Sequence, residues 1–270
     1  MTTFDITHEQ KRALGAKTLT VDFPEQHSAR VSQDAEWCEV TVDGDRRRIL
    51  LHDYDEIFAI PGLYEHIFYE KLECTSPEVV RGLVEQVVRE DGRDPATLRV
   101  LDVGAGNGMV GEELADMGAS SLVGVDIIEE AAEATERDRP EVYDDYLIVD
   151  LTKPGEETRR ELQGKGFNCL VSVAALGFGD IPPLAFAEAY NFVEDGGYIA
   201  FNIKEDFLDH RDDTGFSRLI RRLMDEDALE VRAQHRYQHR LSLAGDPLHY
   251  VAMVAVKRAD AAEEWVHDAE

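Results

Sequence analysis

The sequence predicts an α/β protein built on a doubly wound parallel sheet, and three observations carry that prediction. From residue 98 onward, short continuous apolar runs alternate with amphipathic helices, as they must when strands are buried on both faces and each crossover is a helix. The first such run, Val100-Leu101-Asp102-Val103, passes directly into the glycine-rich turn Gly104-Ala105-Gly106-Asn107-Gly108. An acidic residue, Asp126, closes the next run 22 positions after Gly104, where a doubly wound sheet faces the ligand held by its first turn.

In chain order, residues 1 to about 35 are polar and lack a clear period, so an ordered strand and a loose arm stand equally. Trp37 to Val42 and Arg48 to Leu51 flank Asp43-Gly44, a hairpin signal because both turn positions tolerate positive φ. Arg46-Arg47-Arg48 reads as a solvated edge that blocks sheet-to-sheet pairing, with a small anion site as the alternative. From Asp53 to Glu73 the aromatics Tyr54, Phe58, Tyr64, Phe68 and Tyr69 crowd a helical stretch broken at Pro61-Gly62. They could fold over a ligand or form core; core is preferred for Phe58 and Phe68, and the two readings stand level for the tyrosines. Ser76-Pro77 opens a helix, Ser as N-cap and Pro at the first helical position, with Val80, Leu83, Val84, Val87 and Val88 as its apolar stripe.

The strands expected next are Arg99 to Val103, Leu122 to Asp126, Tyr146 to Asp150, Asn168 to Val173 and Tyr198 to Ile203. Helices are expected between them near 108–117, 129–138, 156–163 and 183–194. A helix over Gly215 to Asp227, with Phe216, Leu219, Ile220 and Leu223 on one face, precedes two long runs, 228–243 and 248–257. The turn Ala244-Gly245-Asp246-Pro247 makes these an antiparallel hairpin.

The 270 residues include 56 Asp and Glu against 28 Lys and Arg, a formal net charge of -28. Such a field repels phosphate, which excludes binding to nucleic acid or to an anionic membrane as a whole-surface property. With 43% hydrophobic and 8% aromatic residues the chain can still bury a core, unlike acid-rich disordered sequences. The bases are 21 Arg and 7 Lys, and an acid-heavy, lysine-poor surface suits a salty cytoplasm where screening removes self-repulsion; an ordinary acidic protein is the alternative. No stretch reaches the roughly 18 to 20 apolar residues that span a bilayer, and the start lacks the features of a secretory signal, so a cytoplasmic location is expected. Cys38, Cys74 and Cys169 are odd in number and far apart, which suits buried small hydrophobes rather than disulfides or a metal site.

The chemistry rests on the glycine turn. Glycines let the backbone bend tightly and approach a ligand with no Cβ in the way, although strand-to-helix packing alone could also use them. A dinucleotide turn, G-x-G-x-x-G, requires glycine where Met109 stands; the spacing here is G-x-G-x-G, with Asp102 two residues before the first glycine. A carboxylate aimed at the turn repels a pyrophosphate and attracts an ammonium or sulfonium, which favours S-adenosylmethionine over NAD.

These residues resemble the class I S-adenosylmethionine-dependent methyltransferases over roughly residues 77 to 258. LDVGAGNG resembles the first motif of that family, which implies that Gly104, Ala105 and Gly106 lie against the methionine portion and Asp102 near its amino group. GVDII resembles the second, which implies Asp126 as the ribose ligand and Ile127 as a neighbour of the adenine. Asp150-Leu151 matches the adenine-binding position, Asp150 accepting from the exocyclic amine and Leu151 donating its N–H; a helix N-cap is the other reading of Asp150. Phe167 to Leu176 resembles the fourth-strand motif with Asn168 where Asp is usual, and Phe192 to Tyr198 the glycine turn before the fifth strand. The resemblance implies a Rossmann-like seven-stranded sheet of order 3-2-1-4-5-7-6, strand 7 antiparallel. It also implies an N-terminal extension over 1–76 with a hairpin and an aromatic-rich helical lid, a methyltransferase domain over 77–258 and an acidic tail over 259–270. GVDII, the tract Tyr143 to Leu151 and VSVAALGFGDIP look most like the small methyltransferases related to the Williams–Beuren-region methyltransferase-like protein.

Methyl transfer from a sulfonium is an in-line displacement, so the protein mainly aligns the acceptor and excludes water. No decisive general base stands in the sequence, and one is needed only when the acceptor must lose a proton. The signature N/D-P-P-Y for exocyclic amines is absent after the fourth strand, where Ser172 to Phe178 stands. A small-molecule acceptor is therefore expected, with neither nucleic acid nor membrane as partner. Its pocket should lie beneath residues 53–73, with Ser172, Ala174 and Leu176 as the nearest framework and Ser172 also near the cofactor. His249 and Tyr250 are read as structural. The competing readings are a non-catalytic S-adenosylmethionine-binding scaffold or sensor and a nicotinamide-dependent oxidoreductase.

Overall fold

The computed structural model describes residues 19–24, 33–176, 180–205 and 215–267, so 1–18, 25–32, 177–179, 206–214 and 268–270 lie outside it. Strands β1 (Leu19–Asp22), β2 (Trp37–Val42) and β3 (Asp45–Leu50) form a small antiparallel sheet in that order. Its Asp43-Gly44 turn is the expected one: both residues take positive φ, 53° and 93°, which matches the twist of the flanking strands. Arg46, Arg47 and Arg48 lie exposed along the edge strand β3, and the Arg48 guanidinium covers the Trp37 ring at 4.0 Å.

Helix α1 (Tyr54–Phe58), the short turn α2 (Leu63–Glu65) and a π-helical stretch, His66–Lys71, follow, with Gly62 turning the chain at φ 74°. Ile57, Leu63, Ile67, Phe68 and Leu72 pack on Val40, Ile49 and Leu51 as a core of this lobe's own. The lobe is fastened to the end of the chain by a buried ion pair, Arg240 to Glu36 at 2.5 Å with both side chains 5% exposed. Backbone bonds from Leu241 N to Leu72 O and from Thr75 N to His239 O complete the junction.

Helix α3 (Ser76–Glu90) buries Val80, Val84, Val87 and Val88, while Leu83 is half-buried. Ser76 departs from expectation. It is the first helical residue and caps nothing; its enclosed hydroxyl bonds to Tyr237 and His239 instead. The main sheet consists of β4 (Arg99–Val103), β5 (Ser121–Asp126), β6 (Asp145–Ile148), β7 (Phe167–Ser172), β8 (Val193–Lys204), β9 (Leu229–Leu241) and β10 (Pro247–Lys257). Its order is β6-β5-β4-β7-β8-β10-β9, with β10 antiparallel to both neighbours and β4 to β8 parallel. That is the expected 3-2-1-4-5-7-6. β8 begins at Val193, earlier than expected, because the pairs Phe167 with Val193 and Cys169 with Tyr198 bracket the Gly196-Gly197 irregularity within one ladder.

The alternation of side chains along the strands divides the core. Leu101, Val103, Leu170 and Phe201 face α6 (Glu156–Gly164), α7 (Pro183–Asn191) and α8 (Gly215–Asp225) through Leu162, Phe186, Tyr190 and Leu219. Val100, Cys169, Val171 and Ala252 face α3 and α4 (Met109–Met117) through Val84, Val88, Val110 and Leu114. Helix α5 (Glu129–Asp138) lies beside β5, its Ala131 and Ala134 packed against Phe58. After β10 the chain passes Ala261 and enters α9 (Glu263–His267), and Ala261 and Val266 are both buried in the main core; 268–270 lie outside the described residues. Among the described residues no helix is long and apolar enough to cross a membrane.

Candidate functional site

A cavity of about 480 Å³ lies beyond the carboxyl ends of β4, β5 and β7, the position at which doubly wound sheets take ligands and within the usual size of such sites. Its floor is the glycine turn, where Gly104, Gly106 and Gly108 have φ of 75°, 54° and 84°. A Cβ on Gly104 would sit 2.8 Å from the Ala175 Cβ, and one on Gly106 would sit 3.2 Å from the Phe58 ring. Both ends of residue 106 are tied: Gly106 N–H donates to Asp126 Oδ2 at 2.9 Å, and its carbonyl accepts from Thr135 Oγ1 at 2.8 Å and Tyr146 OH at 2.7 Å.

Asp126 is the hinge of this arrangement. Its Oδ1 accepts from Ile127 N at 2.8 Å and Ile128 N at 3.1 Å, so burial, which raises its pKa, is opposed by three backbone amides. A carboxylate accepts about four hydrogen bonds, and this one borders the cavity with capacity left. Ile127 stands on the rim, 63% exposed, and Asp150 and Leu151 line the far wall. Asp150 caps no helix; its Oδ1 accepts from Thr152 N and Oγ1 in a local turn, which holds its carboxyl below the usual range, and α6 starts later.

Three of the expected contact residues do not line the cavity. Asp102 shares a sheet face with Val100 rather than with Val103, so its side chain turns inward; it is 1% exposed and its Oδ2 accepts from Tyr143 OH at 2.7 Å. Burial, together with the charge of Asp126, pushes its pKa up to about 7 against the bond from Tyr143. Ala105 is buried beneath the turn. Ser172 is fully buried and donates to Val103 O at 3.0 Å, a tie between neighbouring strands.

The cover comes from the N-terminal lobe. Phe58 does what both readings asked of it, being 4% exposed and also lining the cavity over Gly106, with Tyr64 at 4.9 Å between ring centroids. Tyr54 and Tyr64 line the cavity too, whereas Tyr69 packs in the lobe's core. Arg139, 8% exposed, clamps the cover to the turn: it donates to Glu65 Oε1 at 2.9 Å, Glu112 Oε2 at 2.8 Å and Asn107 O at 3.1 Å, while Asn107 Nδ2 reaches the same Glu65 oxygen at 2.7 Å. Sequence reasoning missed Glu65, Arg139, Tyr143 and Tyr146. Only the tyrosine pair, three residues apart at the start of β6, left a signal that could have been weighed.

A second, smaller chamber of about 40 Å³ adjoins the first and shares His52, Tyr54, Tyr64, Ala174 and Asp180 with it. Behind these stand Gln33, Phe68, Cys74, Leu176, His239, Arg240 and Tyr250, so Tyr250 has a place beyond its structural one. His52 Nδ1 approaches Asp180 at 3.4 Å across the shared wall. The His239 ring lies 4.0 Å from that of Tyr250, and burial, aided by the Arg240 charge, pushes its pKa down to about 3. Among the described residues no cluster of His, Cys, Asp and Glu could hold a metal ion.

A sheet of this order, parallel from β4 to β8 with β10 reversed, with a glycine turn ending its central strand and a carboxylate ending the next, defines a nucleotide-binding domain of the Rossmann-like class. Residues 76–245 match the family described as "Methyltransferase domain", and the chain belongs to that family, the class I methyltransferases whose cofactor is S-adenosylmethionine. Of solved structures, the N-methyltransferase NodS from Bradyrhizobium japonicum WM9 in complex with S-adenosyl-l-homocysteine is similar at 13% identity and a TM-score of 0.52, covering 76% of this chain and 97% of that one. Magnesium protoporphyrin IX methyltransferase from Synechocystis PCC 6803 with bound SAM is similar at 15% identity and a TM-score of 0.48, covering 68% and 79%. No curated protein matches the chain.

Proposed function

We propose that the protein transfers the methyl group of S-adenosylmethionine to a small-molecule acceptor, with the cofactor in the larger cavity and the acceptor in the adjoining chamber. The observation that carries this reading is the junction itself: a nucleotide-sized cavity bordered by Gly104, Gly106, Asp126, Ile127, Asp150 and Leu151 meets a covered, polar-walled chamber at Ala174. The residues fit the cofactor, because the glycine cradle would be closed by any Cβ and Asp126, with three of about four acceptor sites filled by backbone amides, keeps capacity for a ribose hydroxyl.

When bound, the cofactor supplies an electrophilic methyl on a sulfonium. Asp126 would hold the ribose, Ile127 would lie beside the adenine, Asp150 would accept from its amine and Leu151 would donate its backbone N–H. The faces of Phe58, Tyr54 and Tyr64, which line the cavity, favour a cation and keep water away. Asp102 works at one remove, through Tyr143, and Ser172 holds the strands beneath. The chain reads as a lid-bearing N-terminal extension over 1–76 and a methyltransferase domain from 77 on, with the segment after 258 closing its core.

Calorimetric titration tests the cofactor half: S-adenosylhomocysteine should bind in the micromolar range and NADH should not. Transfer of a labelled methyl group to a metabolite in cell extract tests the enzyme; its failure in every extract, with cofactor binding intact, would leave a sensor or scaffold. The net charge of -28 supports a salt-adapted cytoplasmic protein, for which the melting temperature should fall sharply at low salt; a melting temperature indifferent to salt would remove that support.

A further inference from the structure

A run of buried side chains leads from the wall shared by the two cavities to the back of the smaller chamber, and its protons can be counted. Ala174, with φ at 57°, turns its N–H to Asn202 Oδ1 at 2.6 Å. A backbone N–H can only donate, so this bond fixes which end of the Asn202 amide faces which way. Asn202 Nδ2 therefore donates its two protons, to Tyr237 OH at 2.7 Å and to Ser76 Oγ at 3.1 Å. The Tyr237 and Ser76 hydroxyls are 2.7 Å apart, and Ser76 Oγ lies 2.6 Å from His239 Nδ1.

The short contacts favour one direction, the 3.8 Å approach of Cys74 Sγ to the same Nδ1 being far weaker than the 2.6 Å contact with Ser76. Tyr237 accepts from Asn202 and gives its proton to Ser76, and Ser76 gives its own to His239 Nδ1. The reverse direction, from Nδ1–H to Ser76 to Tyr237, strands the Tyr237 proton, which has no other acceptor among the described residues. Tyr237 is 8% exposed and its partners Ser76 and Asn202 0%, so that loss carries a desolvation penalty. With Nδ1 accepting, a neutral ring carries its proton on Nε2. Burial and the neighbouring Arg240 keep the ring neutral, and Nε2 has no hydrogen-bond partner among the described residues.

We propose that this relay locks His239 as the Nε2-protonated tautomer, so that the chamber presents a neutral N–H donor and takes an oxygen of the methyl acceptor, a hydroxyl or a carboxylate, in preference to an ammonium. The proposal rests on the reading of the chamber as the acceptor's site. Its surroundings agree with it: both charged residues of the wall are already engaged, Arg240 by Glu36 and Asp180 by His52 at the mouth, so neither offers a free counter-ion to an ammonium. The chamber's 40 Å³ holds a group the size of roughly three waters, a functional group rather than a ring.

Long-range nitrogen–proton correlation spectra of histidine-labelled protein, bound to S-adenosylhomocysteine, read the tautomer directly. Wild type should show His239 protonated at Nε2, and Asn202→Asp, which replaces the donating end of the amide with an acceptor, should move the proton to Nδ1. Ser76→Ala should abolish the preference while the melting curve stays cooperative, which separates loss of the relay from loss of the fold. Acetate and ethanol should then each shift the Nε2–H resonance of wild type, and ethylammonium should not. Protonation at Nδ1 in wild type overturns the relay; a shift caused by ethylammonium alone, or by none of the three probes, overturns the oxygen site. Failure of S-adenosylhomocysteine to bind, with the tautomer as expected, would count against the cofactor reading and leave the relay standing.

Discussion

The larger cavity and the smaller chamber share a wall at Tyr54, Tyr64, Ala174 and Asp180, yet they draw on the chain in opposite ways. The cavity's floor is local: Gly104 and Gly106 turn the chain within one loop, and Asp126 and Asp150 stand at the ends of the next two strands. Backbone atoms do most of its holding, through the amides of residues 106, 127 and 128. The chamber is assembled from Gln33, Cys74, Asp180, His239 and Tyr250, which meet only because the N-terminal lobe docks on the last hairpin through Glu36 and Arg240. On the proposed assignment, a site for a common cofactor is written in adjacent residues, while one for a particular substrate is gathered from the whole fold.

The largest expected effect on binding tests whether the cavity really depends on backbone. Gly104→Val forces a β-branched residue to φ 75° and drives a side chain into Ala175; S-adenosylhomocysteine affinity should fall more than about 100-fold, a loss on the scale of about 3 kcal/mol. Retained binding would break the comparison at its first term.

Next come two buried groups whose pH responses are opposed. Asp102 has a native pKa of about 7 against an ordinary 3.8, so the folded state binds its proton more tightly and stability falls as pH rises from about 4 to 7. His239, at about 3 against 6.5, is the reverse: the unfolded state takes the proton first, and stability falls as pH drops from 6.5 to 3. The slopes, each about 1.4 kcal/mol per pH unit, nearly cancel between pH 4 and 6.5 in the wild type. Asp102→Asn should be stabilised at pH 8, by up to roughly 4 kcal/mol, and lose stability steeply on acidification. His239→Gln should gain stability on acidification over the same window. Urea midpoints across pH 4 to 8 check both, and identical profiles for the two variants would show that neither charge is buried as described.

Smaller in scale, Asp126→Ala should weaken S-adenosylhomocysteine by roughly 1 to 3 kcal/mol, the cost of lost charged hydrogen bonds; unchanged affinity measured by calorimetry would sink the ribose assignment. At the bottom stands Arg47→Ala on the exposed edge strand β3, for which a change within about 0.5 kcal/mol is expected. A marked loss of cofactor or substrate binding there would reveal an anion site on the arginine run.

The same contrast explains what could be read in advance. The alternation of apolar runs and helices placed the five parallel strands of the main sheet, because burial on both faces leaves a continuous pattern; the turn at 244–247 placed the last hairpin, and the reversal of β10 against β8 came with the family resemblance. The motif residues lining the cavity were legible for a related reason, as their spacing is set by backbone geometry. Asp102 misled because sequence gives the position of a side chain but not its facing: one step along β4 separates a residue that sees the cavity from one that sees Tyr143. Ser76 misled likewise, its local pattern being that of a cap while its partners lie on β9. Glu65, Arg139 and His239 left no signal, since an ion clamp or a relay is defined by partners far away in sequence.

One consequence of the pinned Gly106 peptide concerns heat rather than geometry. Held by Asp126 on its nitrogen and by Thr135 and Tyr146 on its carbonyl, the loop has little configurational freedom left to surrender when a ligand arrives. Its share of the binding entropy is therefore spent during folding. Calorimetry should find a smaller unfavourable entropy for S-adenosylhomocysteine with the native chain than with a Thr135→Val, Tyr146→Phe variant, whose loop must still be ordered at the moment of capture.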